Sequence, residues 1–174
     1  NDLTRQQTHR RVKRQFRIAY EDENLLIVEK PSGLLTHGDS REKKNTLANQ
    51  VCGYLQEKGE FDPSKEKSFV PSPVNRLDRN TTGLVIFGKN AETLRSFTRY
   101  IRERQYVSKY YVTLVKGNLK EKLVLRDRIA KDHGTNISQV TDDAKEGKSA
   151  ETFVTPIASK NGFSVVEVEL VTGR

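Results

Sequence analysis

One carboxylate flanked by two arginines is the feature of this sequence most able to do chemistry. The stretch VNRLDRNTTG, residues 74–83, places Asp78 between Arg76 and Arg79, after a proline-rich loop and before an apolar strand. Neighbouring cations favour the ionised carboxylate, which can act as a nucleophile, a general base or a metal ligand. An ordinary Arg–Asp ion pair gives the same pattern, and on these residues alone it is the better interpretation.

An apolar run with two adjacent tyrosines and the last arginine do not mark a site by themselves. Tyr110 and Tyr111 open the apolar run YYVTLVKG, residues 110–117. Successive strand residues point to opposite faces, so the two tyrosines serve as an internal comparison. By itself, Tyr111 is better interpreted as a core or edge aromatic, and Arg174 as a chain terminus.

A metal centre is not indicated. Cys52 has no second thiol with which to form a zinc pair or a disulfide, and this usage suits a reducing compartment. His9, His37 and His133 lack the spacing of metal ligands, and we interpret them as surface residues.

Short strands and two helices must position these residues. Folded structure is expected from about Ile18, where IAYEDENLLIVEKPSG predicts two strands joined by a polar turn. A helix is predicted over residues 46–58, with Asn45 as its N-cap and Gly59 at its C-terminal end. Residues 59–73 are predicted to form a surface loop.

The second half of the chain alternates a strand, a helix and further strands. The strand LVIFG, residues 84–88, leads into a helix from Ala91 to about Arg104, capped by Asn90. Residues 110–117, 148–158 and 163–171 are predicted strands, and residues 131–147 a mobile loop because they lack periodicity. The class is therefore α+β with a largely antiparallel mixed sheet flanked by a few helices.

Charge points to a polyanionic partner. Lys and Arg number 31 against 23 Asp and Glu, a net charge of +8, which attracts phosphates. Residues 1–17 carry six of these cations, and we interpret them as a basic arm or linker that can also lie on RNA. With no Met and a last residue in a strand-like run, we expect a C-terminally truncated fragment, 18–174 being its folded domain. No signal peptide or membrane span is visible, so a cytoplasmic protein is expected.

Residues 74–83 resemble the H-R-L-D-x-x-T-S-G signature of RluA-type RNA pseudouridine synthases. Asn75 replaces the usual His and Thr82 the usual Ser, whereas five positions match, namely Arg76, Leu77, Asp78, Thr81 and Gly83. Residues 30–33 (KPSG) resemble the family's K-P-x-G, and residues 109–117 (KYYVTLVKG) its K-x-Y-x-A-L-V-x-G. Residues 170–174 (LVTGR) resemble the start of L-x-T-G-R-x-H-Q-I-R. The motifs occur in family order, which makes the set stronger than any member.

The resemblance implies a role for each candidate. Asp78 would be the nucleophile that forms a covalent adduct with the target uridine, Arg174 its guanidinium partner, and Tyr111 the ring that stacks on the uracil. Arg76 and Arg79 would bind phosphates or fill the space that the flipped nucleotide leaves in the RNA. Apart from the resemblance, an RNA-binding track is predicted from five basic residues, namely Lys30, Lys109, Arg95, Arg99 and Arg102. A merely solvated helix face is an equally good interpretation of the three arginines.

The function expected from the resemblance is isomerisation of uridine to pseudouridine in structured RNA, without a small-molecule cofactor or metal. Ribosomal RNA is favoured over transfer RNA as the partner, and the oligomeric state is not predicted. Two alternatives stay open. One is a catalytically inactive RNA-binding module of the same fold, motivated by Asn75 and the basic arm. The other is a metal-dependent nuclease using Asp78, for which the sequence shows no convincing carboxylate cluster.

Overall fold

The computed structural model describes residues 12–66, 68–104, 106–131, 138–141 and 147–172. The chain divides into two compact units, one ending at Glu103 and the other starting at Arg104. The predicted division into an arm, 1–17, and one domain, 18–174, stays a prediction, and residues 1–11 lie outside the described ranges. Phe16, which the sequence assigns to the arm, is only 3% exposed, and the Gln15 amide donates to the Gln50 side chain.

The first unit contains a four-stranded antiparallel sheet and two helices. Its strands are β1 (Arg17–Glu21), β2 (Leu25–Lys30), β3 (Ser72–Pro73) and β4 (Gly83–Gly88), in the order β1-β2-β4-β3. Leu26 and Val28 of β2 lie opposite Phe87 and Val85 of β4, and all four side chains are fully buried. This alternation places the core on one face of the sheet.

Helix α1 (Leu47–Glu57) confirms the first predicted helix, but its N-cap is one residue later than expected. The Thr46 hydroxyl accepts from the Asn49 amide, whereas the Asn45 side chain accepts from the Gln50 side-chain amide. Both residue types cap helices well, so the sequence could not distinguish them. Gly59, with φ of 75°, follows the helix end as predicted.

Helix α2 (Ala91–Glu103) agrees with the second predicted helix, and the Asn90 side chain accepts from the Thr93 amide. The helix passes close to β4 because Gly88 has no side chain. A Cβ atom at position 88 would lie 2.7 Å from the Leu94 backbone nitrogen, which only glycine avoids.

The second unit contains a five-stranded antiparallel sheet. Its strands, in the order β5-β9-β8-β6-β7, are β5 (Tyr110–Lys116), β6 (Leu123–Lys131), β7 (Ser138–Val140), β8 (Lys148–Lys160) and β9 (Phe163–Leu170). Strands β8 and β9 form a hairpin through Asn161 and Gly162, whose φ values of 54° and 77° suit a two-residue turn. The α+β class is confirmed, with two sheets.

Two predicted loops contain short strands. Ser72–Pro73 pairs with β4, and Ser138–Val140 pairs with the end of β6. Both corrections have the same cause, because these strands are held by backbone pairing and lack an alternating apolar pattern. Residues 132–137 and 142–146 of the second predicted loop lie outside the described ranges. None of the described helices is long and apolar enough to cross a membrane.

Candidate active site

The loop that carries Asp78 is fixed on the residue before it. The Thr36 hydroxyl donates to the Leu77 carbonyl over 2.8 Å and accepts from the Leu77 amide over 3.2 Å. Both residues are buried, and these bonds satisfy both backbone groups of Leu77. The segment after β2 therefore fixes the position of the backbone from which the Asp78 side chain extends.

The residue after Asp78 is fixed in the same way. The Arg79 carbonyl accepts from the Lys30 ammonium over 3.0 Å and from the Gly33 amide over 2.9 Å. The Asn80 carbonyl accepts from the Ser32 hydroxyl over 3.3 Å. The KPSG segment thus serves as the support on which the Asp78 loop rests.

Lys30 is a buried structural residue, which corrects its predicted place in an RNA-binding track. The residue is 1% exposed, and its ammonium also donates to the carbonyls of Pro31 and Leu34. Burial lowers the pKa of Lys30, and the negative charge of Asp78 acts in the opposite direction. Its three donors are all used by backbone carbonyls, so none is free for a phosphate.

Asn75 supports the loop from the other side. Its side-chain amide donates to the Leu84 carbonyl over 3.0 Å, and its oxygen accepts from the Ile86 amide over 2.9 Å. With the bond from the Val74 amide to the Ile86 carbonyl, these contacts continue the pairing between β3 and β4. The asparagine that departs from the family signature therefore has a defined structural role.

The Asp78 side chain is exposed and carries no salt bridge within the part of the chain that the structure describes. Arg79 instead pairs with Asp39, with 3.3 Å between its Nη2 and Oδ2 of the carboxylate. The ordinary ion pair that the sequence favoured at Asp78 is thus not formed with either flanking arginine among the described residues. The carboxylate is held on a fixed backbone and is left available.

Arg76 lies near enough to His37 for its charge to act on the imidazole. Partial burial lowers the pKa of His37, and the positive charge of Arg76 lowers it further. Sequence analysis interpreted His37 as a surface residue, and the residue is exposed overall although its imidazole is partly desolvated. Its proximity to Arg76 could have been inferred from Thr36, which the fold places against Leu77.

In the second unit, Tyr111 and Tyr110 differ as predicted. Tyr111 lies opposite Val168 of β9 and is half-buried, whereas Tyr110 lies opposite Glu169 and is 55% exposed. Lys109 is half-buried, and its backbone carbonyl accepts a hydrogen bond from the Leu170 amide over 3.2 Å. The start of β5 and the end of β9 therefore meet at one end of the sheet.

The segment that leads to Arg174 also lies at this end, although Gly173 and Arg174 themselves are outside the described residues. The Thr172 hydroxyl accepts from the Glu151 amide over 3.0 Å, and the Val171 amide donates to the Glu151 carbonyl over 3.1 Å. The sheet topology thus brings the predicted K-x-Y motif and Thr172, the first residue of the predicted T-G-R motif, to the same end of one unit.

A cavity of about 450 Å³ lies in the second unit beside Thr172. Its lining comes from β6, β7, β8 and the segments after β7 and β9, namely Arg126, Asp127, Arg128, Val140, Thr141, Ser149, Ala150, Glu151 and Thr172. None of these residues belongs to the Asp78 loop, so the cavity is not assigned to the predicted nucleobase pocket.

The basic face predicted on α2 is present. Arg95, Arg99 and Arg102 are all exposed, and they repeat at the spacing that places residues on one side of a helix. Glu92 and Glu103 are within helical reach, yet no salt bridge forms on this face among the described residues. The guanidiniums are therefore not neutralised by the helix itself. No group of three or more His, Cys, Asp or Glu suited to a metal occurs in the described ranges either.

Comparisons with known proteins agree with the family resemblance of the sequence. A family model described as RNA pseudouridylate synthase matches residues 24–174. An uncharacterised RNA pseudouridine synthase of Mycoplasma genitalium is 31% identical over 170 residues, which are 94% of this chain and 50% of the relative. The ribosomal large subunit pseudouridine synthase D of Borreliella burgdorferi is 29% identical over a stretch that covers 90% of this chain and 47% of the relative.

A mitochondrial tRNA pseudouridine(32) synthase of Saccharomyces cerevisiae is 29% identical over 99% of this chain and 36% of the relative. The chain thus spans about half the length, or less, of the curated relatives it matches. Among solved structures, human RNA pseudouridylate synthase domain containing 1 superposes with a TM-score of 0.71 at 18% identity, covering 92% of this chain and 61% of the human one. At that identity the superposition shows a shared fold.

Proposed function

This chain belongs to the RNA pseudouridylate synthase family, and we propose that it carries the Asp78 nucleophile of an enzyme that converts uridine to pseudouridine in structured RNA. The observation that carries the proposal is the exposure of the Asp78 carboxylate on a fixed backbone. Asp78 is exposed and without a salt bridge among the described residues, while the backbone on both sides of it is hydrogen-bonded to the segment after β2. A fixed but unused carboxylate is what covalent catalysis needs.

The chemistry is an isomerisation that needs no oxidant and no cofactor. The bond between C1′ and N1 of the nucleoside breaks, and a bond between C1′ and C5 forms. The C5 proton leaves and N1 gains a proton, so atoms and electrons balance. In our proposal Asp78 forms a covalent adduct with the nucleotide and is released at the end, Arg174 keeps the carboxylate ionised and aimed, and Tyr111 stacks on the uracil.

RNA is held in this proposal by basic side chains, all of them exposed except the half-buried Lys109. Arg76 and Arg79 flank the nucleophile, Lys109 lies at the start of β5, and the α2 face contributes Arg95, Arg99 and Arg102. Each guanidinium that contacts a phosphate releases counterions, so binding should weaken as salt rises. The net charge of the chain, +8, is positive like these side chains, so it also attracts phosphates.

Ribosomal RNA is the substrate we favour, because the relatives from Borreliella burgdorferi and Nitrosomonas europaea are named as large-subunit enzymes. The relative from Saccharomyces cerevisiae is named as a tRNA enzyme, so transfer RNA is the second candidate. We place the activity in the cytoplasm, as expected from the sequence.

The competing proposal is an RNA-binding module without catalysis. Its main motive was Asn75, which replaces the family's histidine. The two bonds from the Asn75 amide to β4 support the Asp78 loop, and this favours a working site over a degenerate one.

The test uses the full-length protein with deproteinised ribosomal RNA and transfer RNA, mapped for pseudouridine by carbodiimide modification. Wild-type protein should produce pseudouridine at one or a few sites in the presence of a chelator, and Asp78→Asn should produce none. Asp62→Asn is the matched control, because Asp62 is an Asp of the same unit whose side chain binds only Ser64 and Lys65 within the described ranges. Product from Asp78→Asn would exclude the nucleophile assignment, and wild-type RNA binding without product would favour the inactive module.

A further inference from the structure

Arg104 has a backbone conformation that arginine rarely adopts. It follows the last residue of α2 with φ of 58°. Among the described non-glycine residues, only Asn161, in the β8–β9 hairpin, shares a positive φ, and asparagine tolerates it better. A residue other than glycine is strained in this region, and the conformation persists where the surroundings fix it.

The Arg104 guanidinium is bound to the far end of the same unit. One of its Nη2 hydrogens is donated to the Thr172 carbonyl, 68 residues along the chain. The charge of Arg104 also acts on Lys109, because partial burial lowers the pKa of Lys109 and the nearby guanidinium lowers it further. The left-handed turn at Arg104 thus directs its side chain to the end of the sheet where β5 begins and β9 has ended.

Thr172 is held on its other sides by a single residue of β8. The Glu151 amide donates to the Thr172 hydroxyl over 3.0 Å, and the Thr172 amide donates to the Glu151 carbonyl over 3.3 Å. Glu151 is itself fixed by Arg126, whose Nε lies 2.7 Å from the carboxylate. Every polar group of Thr172 therefore has a partner, and its carbonyl depends on Arg104.

We propose that Arg104 is a positioning residue that fixes the segment leading to Arg174, and through it the catalytic arginine. The inference rests on the proposed function, because it gives Arg104 a role only if Arg174 has one. Arg104 touches neither substrate nor nucleophile in this proposal. It acts through the Thr172 carbonyl, two residues before Arg174 in the sequence.

Arg104→Gly is the informative substitution, since glycine relieves the positive φ while it removes the guanidinium. The variant should fold, and kcat on the mapped RNA should fall roughly 10- to 100-fold, with KM within about twofold of the wild-type value. Asn161→Gly is the matched control, because it relieves the same backbone conformation at the hairpin and should leave kcat unchanged. A rise in KM with kcat unchanged would instead make Arg104 an RNA contact and overturn the proposal.

A second background separates positioning from general weakening. In Arg174→Ala protein, which is already impaired, adding Arg104→Gly should cost no further activity, because the group it acts through is gone. An equal loss in both backgrounds would contradict the proposal while leaving the proposed function intact.

Hydrogen exchange gives a readout that does not depend on turnover. Amides of Val171 and Thr172 should exchange faster in Arg104→Gly than in wild type, and β9 amides at the same rate. Unchanged exchange at Thr172 would overturn the contact-based role. Full activity of Arg174→Ala would remove the catalytic arginine from the proposed function, and with it the effect of Arg104 on catalysis.

Discussion

Two buried lysines at opposite ends of the first sheet have opposite kinds of partners. At the Leu25–Gly88 end, Lys89 lies 3.1 Å from Oε1 of Glu21 and also pairs with Glu60. At the Lys30–Gly83 end, the Lys30 ammonium binds only backbone carbonyls among the described residues. The negative charge of Asp78 acts on Lys30, but Asp78 forms no salt bridge within the same ranges.

The pKa values of the two lysines follow this difference. Burial lowers the pKa of Lys89, but hydrogen bonds to Glu60 and Glu21 outweigh it, so the net pKa is raised. Burial also lowers the pKa of Lys30, and no carboxylate bond reverses it. At one end the carboxylates are used for stability, and at the other a lysine stabilises the loop without using Asp78, the carboxylate that we propose as the nucleophile.

The strongest test of this comparison is Lys30→Met. The change removes the donor from three carbonyls, those of Pro31, Leu34 and Arg79, and leaves them buried or half-buried. We expect a loss of about 3 kcal/mol in the free energy of unfolding, measured by urea denaturation. Because the Asp78 loop loses its support, kcat should also fall roughly 100-fold at temperatures where the variant is folded. Normal kcat in the folded variant would contradict the supporting role.

The next largest effect is expected for Lys89→Met. Its side chain is 6% exposed, and its removal leaves Lys58 as the one cation paired with Glu21 and Glu60 among the described residues, while Glu21 keeps its bond from the Tyr54 hydroxyl. We expect a loss of about 2 kcal/mol in unfolding free energy, with kcat unchanged while the protein is folded. Lys65→Met is the control, since Lys65 makes only an exposed pair with Asp62 and should cost less than about 0.5 kcal/mol. A fall in kcat for the folded Lys89→Met variant would contradict the claim that Lys89, unlike Lys30, serves stability alone.

The smallest expected effect is the pH dependence of the Lys89 end. Burial raises the pKa of Glu21, but bonds from Lys58, Tyr54 and Lys89 lower it more, and bonds from Lys58 and Lys89 lower the pKa of Glu60. Because the folded values lie below the ordinary value of about 4.3, this stabilisation is complete above that pH and is lost as pH falls through the lowered values. Denaturation at pH 7 and pH 3 should show the loss, and Lys89→Met should show less of it.

The sequence predicted the parts of the site that are local. The helices, the Asn90 cap and the difference between Tyr110 and Tyr111 follow from spacing over a few residues, and the structure confirms them. The role of Lys30 could not be predicted, because its partner at Arg79 lies 49 residues away. A lysine in a loop-like motif is usually solvated, and only the packed fold shows that this one is not.

Strand β6 escaped sequence analysis for a related reason. Leu123, Val124 and Leu125 are consecutive apolar residues, and all three are exposed, so no alternation marks the strand. Its position is set by pairing with β8 rather than by a buried face. The roles of Asp78, Tyr111 and Arg174 rest on the family resemblance and remain proposals.

The glycine at the end of β4 limits what substitutions this protein tolerates. With 2.7 Å between an added Cβ at position 88 and the Leu94 nitrogen, even alanine would force the strand and helix apart. The three arginines of α2 would shift with the helix, although none of them had been altered. The smallest residue in the chain therefore determines where its longest cationic side chains can reach, and engineered changes of RNA preference should leave it in place.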